Sequence, residues 1–340
     1  MPDSATKTFD VLGIGNAIVD VLAHAEDELL EELGLAKGAM TLVDADRSAF
    51  LYSRMGPALE VSGGSCANTM AAVADLGGRA AFIGRVCADQ MGEVFRHDIR
   101  AAGVHFTTPA SHDGSPTARC LVFVTPDAQR TMATHLGACA ELGPQDIDPE
   151  LVRRSHITYL EGYLWDRPQA KAACLEAARL CHAAGNRLAL TLSDPFCVDR
   201  WRDELRALVR EEVDILFANE AEITSLYRVD SFLEALELAR RDVPLAVLTR
   251  GPRGSVIATR EEVLWVDPVP PARVLDTTGA GDLYAAGFLR GLTAGLDLAS
   301  CGRLASACAA AIIGQYGART ETSLRPLFDA VAVSAVQRGS

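Results

Sequence analysis

The 340-residue chain lacks several patterns that would each place it in a well-defined class of protein. No GxxxxGK[S/T] segment occurs, which excludes a P-loop phosphate site. No segment reaches eighteen apolar residues without a charge, so we expect no membrane span. The polar and acidic N-terminus has no basic stretch followed by an apolar one, so we expect no signal peptide either.

Cysteine is present, but in no pattern that implies cross-linking or metal binding. The nine cysteines are an odd number, and no two of them are spaced as Cys-x-x-Cys. We therefore expect small buried thiols in a reducing cytoplasm rather than disulfides or a zinc site.

Positive charge is scarce. The chain has 32 Lys and Arg against 45 Asp and Glu, which leaves a formal net charge of -13. This balance argues against nucleic acid or an anionic membrane as a partner. A negatively charged small-molecule substrate would have to be bound by backbone amides, a metal ion or a few basic side chains.

Apolar stretches alternate with helical ones from about residue 155 onward. HITYLEGYL, RLALTLSDPF, VDILFANE and LAVLTRG have the composition of buried strands, and the stretches between them are amphipathic. Near-continuous apolar strands that alternate with helices are typical of a parallel sheet. The sequence therefore predicts an α/β fold with a parallel central β-sheet flanked by helices.

Two other segments, near 18–62 and 104–136, look like half-exposed strands joined by turns. They fit poorly into a buried sheet, so we expect them to form a small β-sheet lid over the ends of the central strands. No internal repeat and no low-complexity linker interrupts the chain. We therefore expect a single domain over residues 1–340.

The stretch DTTGAGDLYAAGF at 276–288 places a carboxylate directly after a glycine-rich turn. Backbone amides at such a turn, where a helix begins, attract anions, whereas the acid at Asp282 repels them. One explanation is a plain turn in which Asp282 stabilises the helix N-terminus. The other is a reaction site in which the amides hold a phosphoryl group and Asp282 takes the proton of an attacking alcohol.

Four motifs resemble those of the PfkB/ribokinase-like carbohydrate and nucleoside kinases, and they occur in the family's order. GGSCANTMAAVADLG, followed by FIGRV, is similar to the N-terminal signature, and DTTGAGD to the C-terminal one. NEAE at 219–222 resembles the Asn-x-x-Glu element, and LTRGPRGS at 248–255 the strand and glycine loop before the nucleotide site. The resemblance covers about residues 9–320. It implies a ribokinase-like fold and an ATP-dependent kinase that acts on an alcohol.

Within this family the chain is most similar to adenosine kinases. GNAIVD has an acid four residues after its Asn, as those kinases do, whereas ribokinases place it two residues after. LSDPF and QRTMATHLGA also resemble adenosine-kinase segments. The resemblance implies phosphorylation of the 5′-hydroxyl of a nucleoside, with adenosine as the acceptor.

The resemblance also implies roles for individual residues. Asp282 would be the general base, and Gly279, Ala280 and Gly281 the anion hole for the transferred phosphoryl group. Residues that would contact the nucleoside are Asn16, Ile18, Asp20, Gly63, Gly64, Asn68, Met132, Leu136 and Tyr163. Residues that would contact ATP are Arg130, Asn219, Thr249, Gly251, Gly254, Asp276, Thr277 and Ala311.

The resemblance also implies that metal ions take part. Asn219 and Glu222 would order Mg²⁺, mainly through waters, because Mg²⁺ gives up its water reluctantly. Many members of the family use K⁺ near the anion hole. Asp267 and carbonyls near GQYGART are the candidate ligands for that ion.

Several alternatives remain open at this stage. The base-contacting aromatic residue of adenosine kinases aligns only roughly with EGYLWD, where Tyr163 or Leu164 could stand in its place, and Glu161 has no assigned role. Inosine, guanosine, or a sugar such as ribose or fructose are therefore alternative acceptors. A silent nucleoside-binding regulator would have no need of Asp282, and GIGNAI lacks the third glycine of a nicotinamide-binding fingerprint. The oligomeric state, monomer or homodimer, is left open.

Overall fold

The computed structural model describes residues 7–127 and 129–339; residues 1–6, 128 and 340 of the expected single domain lie outside this description. Fourteen strands are present in the described part: β1 Phe9–Ile14, β2 Ile18–His24, β3 Met40–Leu42, β4 Ala58–Gly63, β5 Ala80–Ile83, β6 His105–Phe106, β7 Ala118–Val124, β8 Arg130–His135, β9 Ser155–Glu161, β10 Arg187–Thr191, β11 Ile215–Asn219, β12 Leu245–Thr249, β13 Ser255–Ala258 and β14 Val263–Val266.

The described residues also form twelve α-helices. They are α1 Asp27–Glu32, α2 Ala45–Arg54, α3 Ser65–Asp75, α4 Gln90–Ala101, α5 Pro149–Arg153, α6 Pro168–Ala183, α7 Pro195–Glu211, α8 Glu220–Tyr227, α9 Phe232–Asp242, α10 Ala280–Thr293, α11 Leu298–Ile313 and α12 Arg325–Gly339.

The large sheet has nine strands in the order β14-β13-β12-β11-β10-β9-β1-β5-β6. From β12 to β6 all neighbouring strands are parallel, and β13 and β14 extend the sheet in antiparallel fashion. The predicted α/β fold is confirmed, with a sheet that is mostly parallel. The antiparallel pair follows from the short turn after β12, because a parallel crossover needs a dozen or more residues.

Both faces of the large sheet are buried, because its strands carry apolar residues at odd and even positions alike. Val11 packs in one core with Phe82, Tyr159 and residues of α3, α10 and α11. Its neighbour Leu12 packs in the other core, with residues of α5 to α9. Since successive side chains of a strand point to opposite faces, continuous apolar strands require helices on both sides.

A second, smaller sheet has the strand order β3-β8-β7-β2-β4. Its strands come from within the two segments that the sequence set apart, so the expected small sheet is present. The start of the second segment is different, however. His105 and Phe106 pair with β5 at the edge of the large sheet, so this part of the 104–136 segment is not in the small sheet. Phe106 is buried against Phe82 and Phe95, and this aromatic contact explains its place.

The cysteines lie mainly in the interior of the molecule. All nine cysteines are free thiols, and eight of them are buried. Among the described residues no helix is both long enough and apolar enough to cross a bilayer.

Candidate active site

Polar side chains meet at the carboxyl ends of the central parallel strands. Asn16 follows β1, Glu161 ends β9, Ser193 follows β10, and Asn219 and Thr249 end β11 and β12. In open α/β sheets ligands bind at this edge, where loops lead into helices. The small sheet begins beside the same edge, because β2 starts only four residues after β1 ends.

Three adjoining cavities lie along this edge. The small-sheet cavity, ≈ 370 Å³, is bordered by residues including Asn16, Ile18, Met40, Leu42, Gly64, Ser65, Leu136, Glu161, Tyr163, Leu164 and Phe196. The central cavity, ≈ 440 Å³, is bordered by residues including Ser65, Tyr163, Ser193, Asn219, Glu222, Thr249, Gly251, Gly279, Gly281 and Asp282. The α11 cavity, ≈ 150 Å³, is bordered by residues including Thr249, Gly251, Gly254, Ala280, Gly281, Ala309, Ala310 and Ile313.

Neighbouring cavities share walls. Ser65 and Tyr163 border both the small-sheet cavity and the central cavity. Thr249, Gly251 and Gly281 border both the central cavity and the α11 cavity. The central cavity is therefore the place where ligands bound on either side would meet.

Asp282 lies in the first turn of α10, in the wall of the central cavity. Its Oδ1 accepts a hydrogen bond from Ser65 Oγ at 2.6 Å, and its Oδ2 a longer one from Asn68 Nδ2 at 3.4 Å. Burial raises the pKa of Asp282 to about 6, and the Ser65 and Asn68 donors and the Arg319 charge limit the rise. A carboxylate with a pKa near neutrality is suited to accept a proton from a substrate.

The turn before α10 exposes backbone amides. Gly279 has a φ of +77°, and a Cβ there would lie 3.0 Å from Ala318 Cα, so only glycine fits without strain. Ala280 N–H is already engaged with Thr277 O at 3.2 Å. The amides of Gly279, Gly281 and Asp282 have no hydrogen-bond partner among the described residues. Of the three residues expected to form an anion hole, Ala280 therefore has its amide engaged, and the amide of the following acid, Asp282, is free.

Arg130 and Asp276 are engaged with each other. Arg130 Nη1, from β8 of the small sheet, lies 2.7 Å from Asp276 Oδ2 and 3.1 Å from Thr278 Oγ1. Burial alone would raise the pKa of Asp276, but the donors Thr278 and Gly317 and the Arg130 charge outweigh it and lower the pKa. Asp276 therefore ties the small sheet to the glycine turn, and Thr277 lies exposed beside it.

Asn16 and Glu161 meet across the top of β1 and β9. Glu161 Oε1 accepts from Asn16 N–H at 2.8 Å and from Asn16 Nδ2 at 2.6 Å. Glu161 Oε2 accepts from Cys66 N–H at 2.9 Å. Burial raises the pKa of Glu161 to about 7, against the effect of these donors. Glu161, which the sequence left without a role, thus connects Asn16 to the first turn of α3.

Asp20 is the acid of the small sheet that lies near the others. A Cβ at Gly63, on the neighbouring strand β4, would lie 2.3 Å from Asp20 Oδ2, so Gly63 leaves the space that this carboxylate fills. The Asp20 carboxylate has no hydrogen-bond partner among the described residues. Burial raises its pKa to about 6, Arg319 and Arg130 lower it, and Asp282 raises it. An unpartnered carboxylate of this kind is suited to accept hydrogen bonds from hydroxyl groups.

Arg319 lies between these carboxylates and was not identified from the sequence. Its Nε donates to Asn68 Oδ1 at 3.0 Å, and its Nη2 donates to Ser62 O and Ser62 Oγ, each at 3.0 Å. Burial lowers the pKa of Arg319, whereas Asp98, Asp20 and Asp282 raise it. Because Arg319 holds the Asn68 carbonyl, the Asn68 amide is left pointing at Asp282.

The small-sheet cavity also has an apolar part. Ile18, Leu136 and Tyr163 border it as the sequence predicted, whereas Met132 does not, although Met132 shares its face of β8 with Thr134, which does. Three large side chains that the sequence reasoning missed complete the rim: Met40, Leu42 and Phe196, which are 56%, 60% and 74% exposed. Three exposed hydrophobic side chains around one cavity indicate a site for an apolar ligand group.

Asn219 and Glu222 are joined in a capping box at the start of α8. Asn219 N–H and Nδ2 donate to Glu222 at 2.9 and 2.6 Å, and Glu222 N–H donates to Asn219 Oδ1 at 2.9 Å. Burial raises the pKa of Glu222 to about 7. The described residues contain no group of three or more His, Cys, Asp or Glu side chains that could hold a metal ion. This single carboxylate fits a hydrated metal carried by a ligand, not a metal held by the protein alone.

The α11 cavity contains three of the predicted nucleotide contacts and lacks a fourth. Thr249, Gly251 and Gly254 border it. Ala311 is exposed and does not border it, whereas Ala309, Ala310 and Ile313 do. Successive residues of a helix point in directions about 100° apart, so Ala311 faces away from this cavity while its helix neighbours border it, and its contact with the nucleotide stays a prediction.

Ser65 and Ser193 are two further residues that the sequence reasoning did not single out. Ser65 contacts Asp282 across 217 residues of chain, so no local pattern marks it beyond its place in the N-terminal motif. Ser193 borders the central cavity with a φ of +70°, and its Oγ accepts from Gly162 N–H at 2.8 Å. Non-glycine residues with positive φ often mark functional sites, but the angle is visible only in the structure.

Comparison with known proteins identifies this arrangement. The sequence matches the family described as pfkB family carbohydrate kinase over residues 56–324. It is 52% identical to a solved structure of adenosine kinase from Sinorhizobium meliloti, with a TM-score of 0.85 and coverage of 98% of this chain and 99% of that chain. A probable sugar kinase from Rhizobium etli is 49% identical, with a TM-score of 0.86 and the same coverage.

A third relative has another acceptor in its name. An ATP-dependent ribose-1-phosphate kinase from Halopiger xanaduensis is 30% identical over 298 residues, which is 87% of this chain and 93% of that protein. The family match covers the residues that border the central and α11 cavities, and the two solved structures cover 98% of the chain. The chain therefore belongs to the pfkB family of carbohydrate kinases and is a nucleoside or sugar kinase that uses ATP.

Proposed function

We propose that this protein transfers the γ-phosphoryl group of ATP to the 5′-hydroxyl of a nucleoside, with adenosine as the acceptor. The observation that carries the proposal is the position of Asp282, whose pKa is raised to about 6, in the central cavity between the glycine turn and Ser65. The small-sheet cavity would hold the nucleoside, and the α11 cavity the adenine end of ATP.

The transfer uses the two features of the DTTGAGD stretch together. Asp282 takes the proton of the 5′-hydroxyl as its oxygen forms a bond to the γ-phosphorus, and the bond from that phosphorus to the β–γ bridging oxygen breaks to release ADP. The free amides of Gly279 and Gly281 donate to the phosphoryl oxygens as negative charge develops on them. The carboxylate and the amides then serve different atoms of one reaction.

Mg²⁺ fits beside this site. Glu222 and Asn219 border the central cavity, and each Glu222 oxygen accepts one hydrogen bond and retains a free lone pair toward water or metal. When it is bound, Mg²⁺ neutralises charge on the phosphates of ATP. We propose that Glu222 orders waters of the ion, since direct coordination would need more oxygen ligands than this pair supplies. K⁺ near residues 267 and 314–320 stays a prediction.

The acceptor's sugar and base would occupy different parts of the small-sheet cavity. Asn16 and Asp20 offer polar atoms to ribose hydroxyls, and Asn68 lies behind them. Met40, Leu42 and Phe196 surround the space for a flat apolar base. A bare sugar would leave these three side chains uncovered, which favours a nucleoside. We further propose that the small sheet acts as a lid that excludes water from the central cavity during transfer.

A panel of acceptors tests the proposal. Adenosine, inosine, guanosine, ribose, fructose and ribose 1-phosphate would each be incubated with ATP and Mg²⁺, and ADP release would be measured. We expect the highest kcat/KM for adenosine. A higher value for a sugar would overturn the choice of acceptor, and no phosphorylation of any acceptor would overturn the proposed chemistry.

Asp282→Asn tests the mechanism with the favoured acceptor. Removing a general base lowers kcat by about 10²–10⁴-fold, whereas acceptor binding stays within a few-fold by calorimetry. Asp203→Asn is the matched control, because Asp203 is an exposed acid on α7, far from the three cavities. Near-normal turnover by Asp282→Asn would rule out the assigned role.

A further inference from the structure

Glu161 is a buried acid that the transfer itself does not use. It is 1% exposed, and its two oxygens are shared among three donors: Asn16 N–H, Asn16 Nδ2 and Cys66 N–H. These donors belong to the loop after β1 and to the first turn of α3. Next to Cys66 is Ser65, which donates to Asp282. Glu161 thus holds together the two segments that would face the acceptor hydroxyls.

The backbone amides fix which way Glu161 presents its oxygens. A backbone N–H cannot exchange its donor role, so Oε1 must accept from Asn16 N–H and Oε2 must accept from Cys66 N–H. When Glu161 is ionised, Oε1 is then an acceptor toward the Asn16 side chain as well. Turning the Asn16 amide over would bring Oδ1 against Oε1, and two acceptors without a proton between them repel each other.

The orientation of Asn16 follows from this. Its Nδ2 faces Glu161 at 2.6 Å, and its Oδ1 has no hydrogen-bond partner among the described residues. Asn16 borders the small-sheet cavity, so a bound ligand can reach that oxygen. Asn16 therefore offers the ligand an acceptor, although an asparagine amide in general can either donate or accept.

We propose that Glu161 is a positioning residue for acceptor selection: it locks Asn16 with its carbonyl oxygen toward the small-sheet cavity, so that the acceptor must donate a hydroxyl hydrogen there. This inference rests on the proposed kinase function and deepens it. Although Glu161 lies in the wall of the small-sheet cavity, it is 1% exposed and both of its oxygens are engaged, so its role is to act through Asn16.

The test compares groups that differ in donating ability at one position. Adenosine would be assayed beside its 2′-deoxy, 3′-deoxy, 2′-fluoro and 3′-fluoro analogues, because fluorine fills the site and accepts weakly but cannot donate. At either the 2′ or the 3′ position, we expect the deoxy and the fluoro analogue to lose kcat/KM to a similar extent, about 10- to 100-fold. The reason is that Asn16 Oδ1, covered by the ligand, is left without a hydrogen-bond donor. Full activity of both fluoro analogues would overturn the proposal.

Glu161→Gln tests the lock itself. Its amide keeps the size of the carboxylate but can donate to Asn16 Oδ1, so Asn16 is no longer held one way. We expect kcat/KM for adenosine to fall about 10- to 100-fold, the penalty at the discriminating position to shrink to about 3-fold or less, and KM for ATP to stay unchanged. An equal loss for every analogue, with the penalty intact, would show a purely structural role and overturn the inference.

Two further variants keep the test decisive. Glu176→Gln, an exposed acid on α6 that pairs with Arg179, should leave the whole series unchanged. If Glu161→Gln does not fold, Asn16→Ala removes the same oxygen with Glu161 intact and should remove the same penalty; a retained penalty would overturn the proposal. The quantity compared is the ratio of kcat/KM for an acceptor to kcat/KM for its deoxy and fluoro analogues. This ratio can be measured for whichever acceptor the panel selects. Failure of adenosine as the acceptor is thereby distinguished from failure of the Glu161 lock.

Discussion

Two buried glutamates, Glu161 and Glu222, hold the two sides of the site in nearly the same way. Each is buried, each has its pKa raised to about 7, and each accepts from both the backbone N–H and the Nδ2 of one asparagine. Asn219 lies three residues from Glu222, whereas Asn16 lies 145 residues from Glu161. The same bonding unit is thus built locally on the nucleotide side and by tertiary contacts on the acceptor side.

The difference between the two pairs lies in the asparagine oxygen. Asn219 Oδ1 accepts from Glu222 N–H and so completes the cap of α8. Asn16 Oδ1 has no such partner among the described residues and faces a cavity. The local pair therefore fixes a helix end and places one carboxylate in the wall of the central cavity, whereas the distant pair leaves an atom available to a ligand in the small-sheet cavity.

Among the variants that test the difference between the two sides of the site, Asp20→Ala is expected to have the largest effect. Asp20→Ala removes the unpartnered carboxylate of the acceptor side, so we expect acceptor KM to rise about 10- to 100-fold with ATP KM unchanged, because hydrogen bonds to charged groups are the stronger ones. Steady-state kinetics with each substrate varied would measure the split. Asp46→Ala, an exposed acid of α2, is the control; a rise in both KM values would contradict the separation of the two sides.

A smaller effect is expected at Glu222. Glu222→Gln can keep the bond from Asn219 N–H, since glutamine also serves at that position of a capping box, but it removes the charge and the bond from Asn219 Nδ2. We expect the Mg²⁺ concentration for half-maximal rate to rise about 3- to 10-fold, with a small fall in Tm from the lost hydrogen bond. Glu234→Gln makes the same change at the third position of α9, away from the cavities, and should alter neither value. An unshifted Mg²⁺ titration for Glu222→Gln would count against the metal role.

The smallest effect is expected in the pH dependence of kcat/KM. Asp282 must be ionised to take a proton, so kcat/KM should fall as the pH decreases through about 6, where Asp282 and Asp20 titrate as a coupled pair. The Arg319 charge favours both ionised forms. Arg319→Met should therefore raise both pKa values and move the acid limb of the profile upward by roughly 0.5–1 pH unit.

A pH profile of kcat/KM between 5 and 8 would measure this shift. Arg260→Met, at an exposed position in the turn between β13 and β14, should leave the limb in place. If the limb is the same in both variants, Arg319 does not set the ionisation of the two acids.

The features that the sequence predicted are those encoded by neighbouring residues. Asn219 and Glu222 form a motif three residues long, and the glycine at 279 is needed because the turn before α10 requires positive φ. The alternation of buried strands and helices follows from runs of apolar residues. Such features need no knowledge of which distant segments meet.

Errors and omissions arose where distant segments decide the outcome. The sequence does not show which residues near Ala311 border the α11 cavity, because the direction of a helix face depends on how the helix packs. His105 and Phe106 joined the large sheet because β5 has a free edge there, which a half-exposed strand pattern does not reveal. Phe196, Met40 and Leu42 look like ordinary hydrophobic residues until they are found around one cavity.

The sequence by itself determined the α/β class, the glycine turn with Asp282 behind it, and the Asn219–Glu222 cap, because each depends on residues within a few positions of one another. Only the tertiary structure decided that Glu161 reaches Asn16 and that Arg319 lies among Asp20, Asn68 and Asp282. Those contacts join segments more than 90 residues apart in the chain. Burial at their meeting point, which no local pattern encodes, raises the pKa of the acids toward neutrality.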